Sequence, residues 1–158
     1  MPDPHPPIEL LHLEEDGQLR TAFPVMRELR PQLPDAATFI ARVRRQAHQG
    51  YRLLGAWCDG QVLALAGYRE LENLIHGRFI YVDDLVADPQ HRSRGLGARL
   101  LEELALIGGG LGCQRLVLDT ALANSLAQRF YFRQGLLSTG LHFSRPLPVA
   151  ATHPSQEN

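Results

Sequence analysis

Between Val86 and Leu101 the chain reads VADPQHRSRGLGARLL, and this stretch holds the residue types best suited to grip an anion. A strand-like apolar run leads into a loop with Arg92, Arg94, Gly95 and Gly97, and an amphipathic helical pattern follows at once. The first turn of a helix leaves its N–H groups without intrahelical acceptors, and the aligned peptide dipoles add roughly half a positive charge there. Phosphate oxygens satisfy both. Glycines at 95 and 97 remove side chains that would hold a diphosphate off the backbone, while the two arginines add charge-assisted donors. The plain alternative for Arg92 and Arg94 is a solvated surface position.

Spacing separates the kinds of phosphate loop. A P-loop needs a Gly-Lys-Ser/Thr triplet, and the chain contains no lysine at all. A dinucleotide fold wants G-x-G-x-x-G after the first strand of a βαβ unit, with an acidic residue roughly 20 positions on. Here Gly95-Leu96-Gly97-Ala98-Arg99-Leu100 lacks the third glycine, although Asp119 does end the next strand-like run. The loop also carries a polar insert, Asp88 to Arg94, and leaves too little chain beyond it for a doubly wound sheet.

Arg92-x-x-Gly95-x-Gly97, following Asp84-Leu85-Val86-Ala87-Asp88-Pro89, resembles the acetyl-coenzyme A signature of the GNAT acyltransferases, R/Q-x-x-G-x-G/A. Asn124-x-x-Ala127-x-x-Phe130-Tyr131-x-x-x-Gly135 resembles the later motif of that family. Two motifs in the right order are far more specific than a glycine pair. The resemblance implies an α+β GNAT-like acyl-CoA acyltransferase fold: a single domain with a mixed, mostly antiparallel twisted sheet flanked by helices. It also implies acetyl-CoA as cosubstrate and no metal. The backbone from Arg94 through Leu96 and Gly97 to Ala98 would bind the coenzyme diphosphate, with Arg92 beside it. Leu85, Val86 and Ala87 would pair with the pantetheine arm as an added strand would. In this family the signature strand and the next one splay apart, and the thioester lies in the gap. Asn124, Ala127 and Phe130 complete the coenzyme-side set.

The implied activity is N-acetyl transfer to a primary amine, of a small molecule or peptide, by direct attack in a ternary complex. An alkylamine of pKa about 10.4 is deprotonated at pH 7 at a cost of roughly 4 to 5 kcal/mol, so something must take its proton. Asp83 and Asp84, beside the expected thioester position, are the candidates, with Asp84 favoured. Successive strand residues face opposite ways, so only one should point into the site unless the strand bulges. Capping or bonding of local backbone is the alternative for both. Tyr131 matches the family tyrosine that protonates the departing thiolate; core packing is its other reading. Asn124 could cap its helix, touch the coenzyme, or do both. Asp119 and His142 are substrate-side candidates, and Trp57 is assigned to packing. The competing class is a noncatalytic acetyl-CoA-binding sensor or scaffold of the same fold.

Elements to position these residues are legible. Leu19, Phe23, Met26 and Leu29 recur at helical spacing up to Pro31, with Pro24 expected to kink or delay that helix. Asp35 is the expected N-cap of a second helix carrying Phe39, Ile40, Val43 and Ala47 on one face and Arg42, Arg44 and Arg45 on the other, with Gly50 just past its end. Those arginines read as a solvated face, with binding of an anionic group as the alternative. Residues 51–58 and 61–68 flank Asp59-Gly60 and form a hairpin. Strands are expected at Arg78 to Val86, Arg115 to Thr120 and near Leu141 to Leu147. A helix buries Leu96, Leu100, Leu101, Leu104 and Ile107 and is ended by Gly108 to Gly110; another spans Ser125 to Gln134.

The chain's 158 residues, 44% of them hydrophobic, suit one domain, expected over 8–148 between disordered tails at 1–7 and 149–158. A net charge of −1 removes the bulk pull toward nucleic acid or anionic membrane, so neither is an expected partner. Apolar runs fall far short of the roughly 18 residues of a membrane span, and no leader pattern opens the sequence. The expected location is the cytoplasm, as monomer or homodimer. Cys58 and Cys113 read as small buried hydrophobes.

Overall fold

A computed structural model of the chain describes residues 6–150. These fall into two units, Met1–Ala121 and Leu122–Asn158. Of the expected tails, residues 1–5 and 151–158 lie outside the described residues, and 6–7 carry no regular structure.

The first unit is a five-stranded sheet in the order β1 (Glu9–His12), β2 (Arg52–Cys58), β3 (Gln61–Asn73), β4 (Gly77–Ala87), β5 (Arg115–Leu118). All neighbours are antiparallel except β4 and β5. The β2–β3 turn takes positive φ at both Asp59 (50°) and Gly60 (73°), the two-residue geometry that matches the twist of the paired strands. β3 continues to Asn73, five residues beyond the expected end. Its last stretch, Arg69–Asn73, lacks apolar alternation, so nothing in its pattern marks a strand; pairing with Gly77–Tyr81 creates it. Asn73 closes that second hairpin, its Oδ1 accepting from the N–H groups of Ile75 and His76.

Helices α1 (Asp16–Leu29) and α2 (Ala36–Ala47) cover one face of the sheet. Leu19, Met26, Phe39, Ile40 and Val43 from these helices join Tyr51, Leu53, Val62 and Leu65 in one buried cluster, with Trp57 packed against it as expected. Asp35 caps α2, its carboxylate accepting from Thr38 N–H at 2.7 Å. Gln18 tightens the start of α1 by accepting from Glu14 and Glu15 N–H. Pro24 sits inside α1 rather than delaying it.

Alternate sheet residues Leu54, Ala64, Ala66 and Ile80 lie outside that cluster, on the side of α3 (Leu96–Gly110). Leu96, Leu100, Leu101 and Leu104 of α3 are buried as expected, while Ile107 is only half-buried. The glycine triplet does not end the helix before itself: α3 runs through Gly110, and Gly108 is buried where a Cβ would come 2.7 Å from Ile80. The absent side chain is what lets α3 approach the sheet there.

The second unit contains α4 (Ser125–Arg133). Asn124 caps it, accepting from Ala127 N–H at 3.1 Å, and Gly135 follows its end at φ 84°. None of the α4 side chains is fully buried; Leu126 and Phe132 are exposed. The strand expected near Leu141 to Leu147 is absent, since residues 136–150 have no regular secondary structure. Pro146 and Pro148 offer no N–H to a ladder, which weakens that apolar stretch as a strand. Both cysteines are half-buried rather than buried.

Candidate active site

Asp83 and Asp84 stand at a break in the β3–β4 register. Gly67 pairs with Asp84 and Tyr68 with Val82, so Asp83 is an extra residue with no partner across the ladder. This is the β-bulge that lets adjacent residues share a side. Both carboxylates accordingly line one cavity of about 240 Å³, walled by Met26 and Arg30 of the α1 end and by Phe39, Arg42 and Val43 of α2.

The two carboxylates are held differently. Asp84, whose side chain is 14% exposed, has both oxygens engaged: Oδ1 accepts from Arg30 Nε at 2.9 Å and Oδ2 from Tyr51 Oη at 2.7 Å. Arg30 also donates to the Asp83 carbonyl at 2.9 Å, so one guanidinium clamps the bulge by backbone and side chain together. Burial, then the Asp84 charge, pushes the Tyr51 phenol well above its ordinary pKa, so it remains a donor. Gly67 makes this contact possible, because a Cβ there would lie 2.0 Å from Tyr51 Oη. Asp83 takes one ion pair, Oδ2 to Arg69 Nε at 3.0 Å, and its Oδ1 accepts no hydrogen bond from the described residues. Burial raises the Asp83 pKa above the usual carboxylate value, and Arg69 opposes the rise. Arg69 is itself fixed by Gln46 at 3.0 Å and lies over the Tyr51 ring.

The β4–β5 ladder ends at Val82 with Leu118, whereas β4 runs on to Ala87. No residue of β5 pairs with Asp83 to Ala87, so Leu85, Val86 and Ala87, bonded to β3 on one side, have no β5 partner on the other. At the end of this edge a 3-10 helix, Pro89–Arg94, replaces the expected open loop, with Asp88 accepting from Gln90 N–H. Gly95 then adopts φ 67° and serves as N-cap of α3. That left-handed conformation favours glycine. Buried Leu96 anchors the bend, leaving Gly97 and Ala98 half-exposed in the first turn. The N–H groups of Leu96, Gly97 and Ala98 belong to that turn, and Arg99 N–H is the first to bond back, to Gly95. Arg92 is exposed and Arg94 half-buried on the adjoining 3-10 turn. The fit to a diphosphate therefore rests on a glycine-capped helix start with two arginines beside it.

Asp119 lies just past β5 and accepts a hydrogen bond from Tyr81 Oη. Burial, then that bond, pushes the Tyr81 pKa up to about 12. The remaining predicted residues belong to the second unit. Asn124, Ala127, Phe130 and Tyr131 are on α4 or cap it, with the Phe130 and Tyr131 rings 5.4 Å apart. Tyr131 is half-buried, and desolvation raises its phenol pKa. His142 is in the exposed segment without regular structure, not on a strand. Among the described residues, no group of three or more His, Cys, Asp or Glu is placed to hold a metal ion.

The family model of the acetyltransferase (GNAT) family matches residues 16–136, which covers most of the first unit and α4 of the second. The chain belongs to the GNAT family. It is similar to glucosamine 6-phosphate N-acetyltransferase 1 of Dictyostelium discoideum, 32% identical over 46% of this chain and 45% of that one, so the match spans less than half of that relative. A longer match, 25% identical over 89% of this chain and 99% of the other, is to the N-acetyltransferase YhdJ of Bacillus subtilis (strain 168), described as uncharacterised. Among solved structures, aminoglycoside N-acetyltransferase AAC(6')-Iy in complex with CoA superposes with TM-score 0.79 at 18% identity, covering 92% of this chain and 98% of that one. That likeness shows the shared fold.

In this GNAT chain the sequence motifs do not name Arg30, Tyr51, Arg69 or Tyr81, which hold the acidic residues in place. Gly67 was the available signal: a glycine inside an apolar strand marks a bulge or a close approach, and here it marks both.

Proposed function

We propose that this GNAT protein transfers the acetyl group of acetyl-CoA to a primary amine by direct attack in a ternary complex. The observation that carries the reading is the stretch of β4 from Asp83 to Ala87 that has no β5 partner, followed through the 3-10 turn by the Gly95-capped start of α3. Leu85, Val86 and Ala87 take the pantetheine arm as an added strand, and the N–H groups of the bend take the diphosphate, with Arg92 and Arg94 beside them.

Asp83 takes the proton of the incoming ammonium, directly or through a water, because its Oδ1 accepts no hydrogen bond from the described residues while both oxygens of Asp84 are engaged. Asp84 holds the bulge through Arg30 and Tyr51. The neutral nitrogen attacks the thioester carbonyl carbon, a C–N bond forms, the C–S bond breaks with its electron pair leaving on sulfur, and the surplus proton on nitrogen passes to water, from which the Tyr131 phenolate left after its own proton transfer is reprotonated. Tyr131 gives its phenolic proton to that thiolate; a pKa raised by desolvation keeps the proton on the phenol until then. Asn124 caps the helix bearing Tyr131, and Ala127 and Phe130 support it. Asp119, held by Tyr81, and His142 are the substrate-side residues of this reading.

The test is incubation with acetyl-CoA and a mixed panel of amines while free thiol is followed. Amine-dependent thiol release is expected. Tight coenzyme binding with no release across the panel would instead support the sensor.

A further inference from the structure

We infer that the acceptor is a small amine that also carries an anionic group, and that Arg42 is the residue that reads the anion. The inference deepens the proposed acetyl transfer and rests on it. The three arginines of α2 are not equivalent. Arg44 is engaged with Asp16 at 2.6 Å and with the Glu14 carbonyl at 2.8 Å, which ties α2 to the start of α1. Arg42 instead lies on the wall of the cavity that holds Asp83 and Asp84, alongside Phe39, Val43 and Gln46. It makes no ion pair or hydrogen bond with the described residues.

The charges lining the cavity are not all paired. Two guanidinium groups, Arg30 and Arg42, and two carboxylates line it; Asp84 is matched by Arg30 and Asp83 by Arg69, which is not part of the lining, so Arg42 is the lining charge without an ion-pair partner among the described residues. A simple cationic amine would leave Arg42 without a counter-charge. An ammonium joined to a carboxylate or phosphate meets the carboxylates at one end and an uncommitted guanidinium at the other. Volume bounds the size. About 240 Å³ is below the range of roughly 300–1,000 Å³ common for drug-sized ligands, so the part of the acceptor held here is of single-residue scale. Met26, Leu33, Phe39 and Val43 give that part an apolar middle.

Matched probes test this: β-alanine against its amide, and 2-aminoethyl phosphate against ethanolamine, so that the two arms tell carboxylate from phosphate. Each is measured by thiol release with acetyl-CoA and, independently, by calorimetric binding to the protein saturated with CoA. The charged member of at least one pair is expected to be favoured by about tenfold or more, the size of one charge-assisted contact. Arg42→Ala should bring that ratio close to one and Arg42→Lys should restore part of it. Arg45→Ala, an equal charge change on the same helix, should leave it intact. A ratio at or below one in both pairs overturns the inference, as does a ratio unmoved by Arg42→Ala or an absence of heat from every probe. Charged-probe binding that depends on Arg42 without any thiol release sinks the acetyl-transfer reading alone. Thiol release with no charge preference sinks this one alone.

Discussion

At residue scale the two adjacent carboxylates differ because their donors differ. Asp84 is saturated by Arg30 and Tyr51, whereas Asp83 keeps one oxygen free and has its pKa raised by burial. If Asp83 accepts the proton, activity requires its ionised form, so kcat/KM should rise with pH through a group titrating above the ordinary carboxylate value. Asp83→Asn should lower kcat/KM by roughly 10²–10⁴ and remove that limb; a pH–rate profile of wild type and variant with an unchanged limb would exclude Asp83 as the base. Tyr81 offers a second titration. Its folded pKa of about 12 exceeds the unfolded value of about 10, so the associated stability is complete below pH 10 and is lost as pH rises through 12. Ultraviolet titration of folded Asp119→Asn should show Tyr81 ionising at lower pH than in wild type, since one cause of its shift has been removed. A midpoint that stays put would mean that Asp119 contributes nothing to it.

At the scale of elements, two glycines carry the site. Gly95→Val forces a β-branched residue into φ 67°, a conformation that costs on the order of 1–3 kcal/mol, and it crowds the start of α3. Coenzyme affinity measured by calorimetry should fall by at least about tenfold; wild-type affinity in a folded Gly95→Val protein would remove the bend from the binding site. Gly67→Ala places a methyl group 2.0 Å from Tyr51 Oη and 2.8 Å from Asp84 Oδ2. Displacing Tyr51 should cost about 1–3 kcal/mol in denaturant unfolding. The acetyl-transfer rate should drop with it, because Asp84 loses a donor and the bulge loosens. These glycines were legible to different degrees. Gly95 belongs to a motif whose chemistry requires it, but the reason for Gly67 lies on Tyr51, sixteen positions away in the chain and in contact only after β2 and β3 have paired.

At the scale of the whole molecule, all 16 basic residues are arginine. With no lysine side chain to modify, any acetyl group found on the protein after incubation alone with acetyl-CoA should sit on the N-terminal amine or a transient non-amine site. Peptide mapping by mass spectrometry checks this, and stable acetylation at several internal positions would contradict it. The helices, the Asp59-Gly60 hairpin and the Gly95 bend follow from periodicity, capping and turn chemistry, because these are local properties carried by neighbouring residues. The same local logic failed at Leu141 to Leu147, where an apolar run has no ladder partner, and at Arg69–Asn73, where a polar run acquires one. Which arginine serves which acid was beyond local pattern too. Arg30 and Asp84 are 54 positions apart, and one extra residue in β4 decides that both carboxylates face the same cavity. The sequence by itself determined the family and the glycine-capped bend before α3, since both are written in contiguous residues. The tertiary structure decided how the acids are paired and left Arg42 without a partner among the described residues, since pairing depends on strand register and helix placement that no short segment encodes.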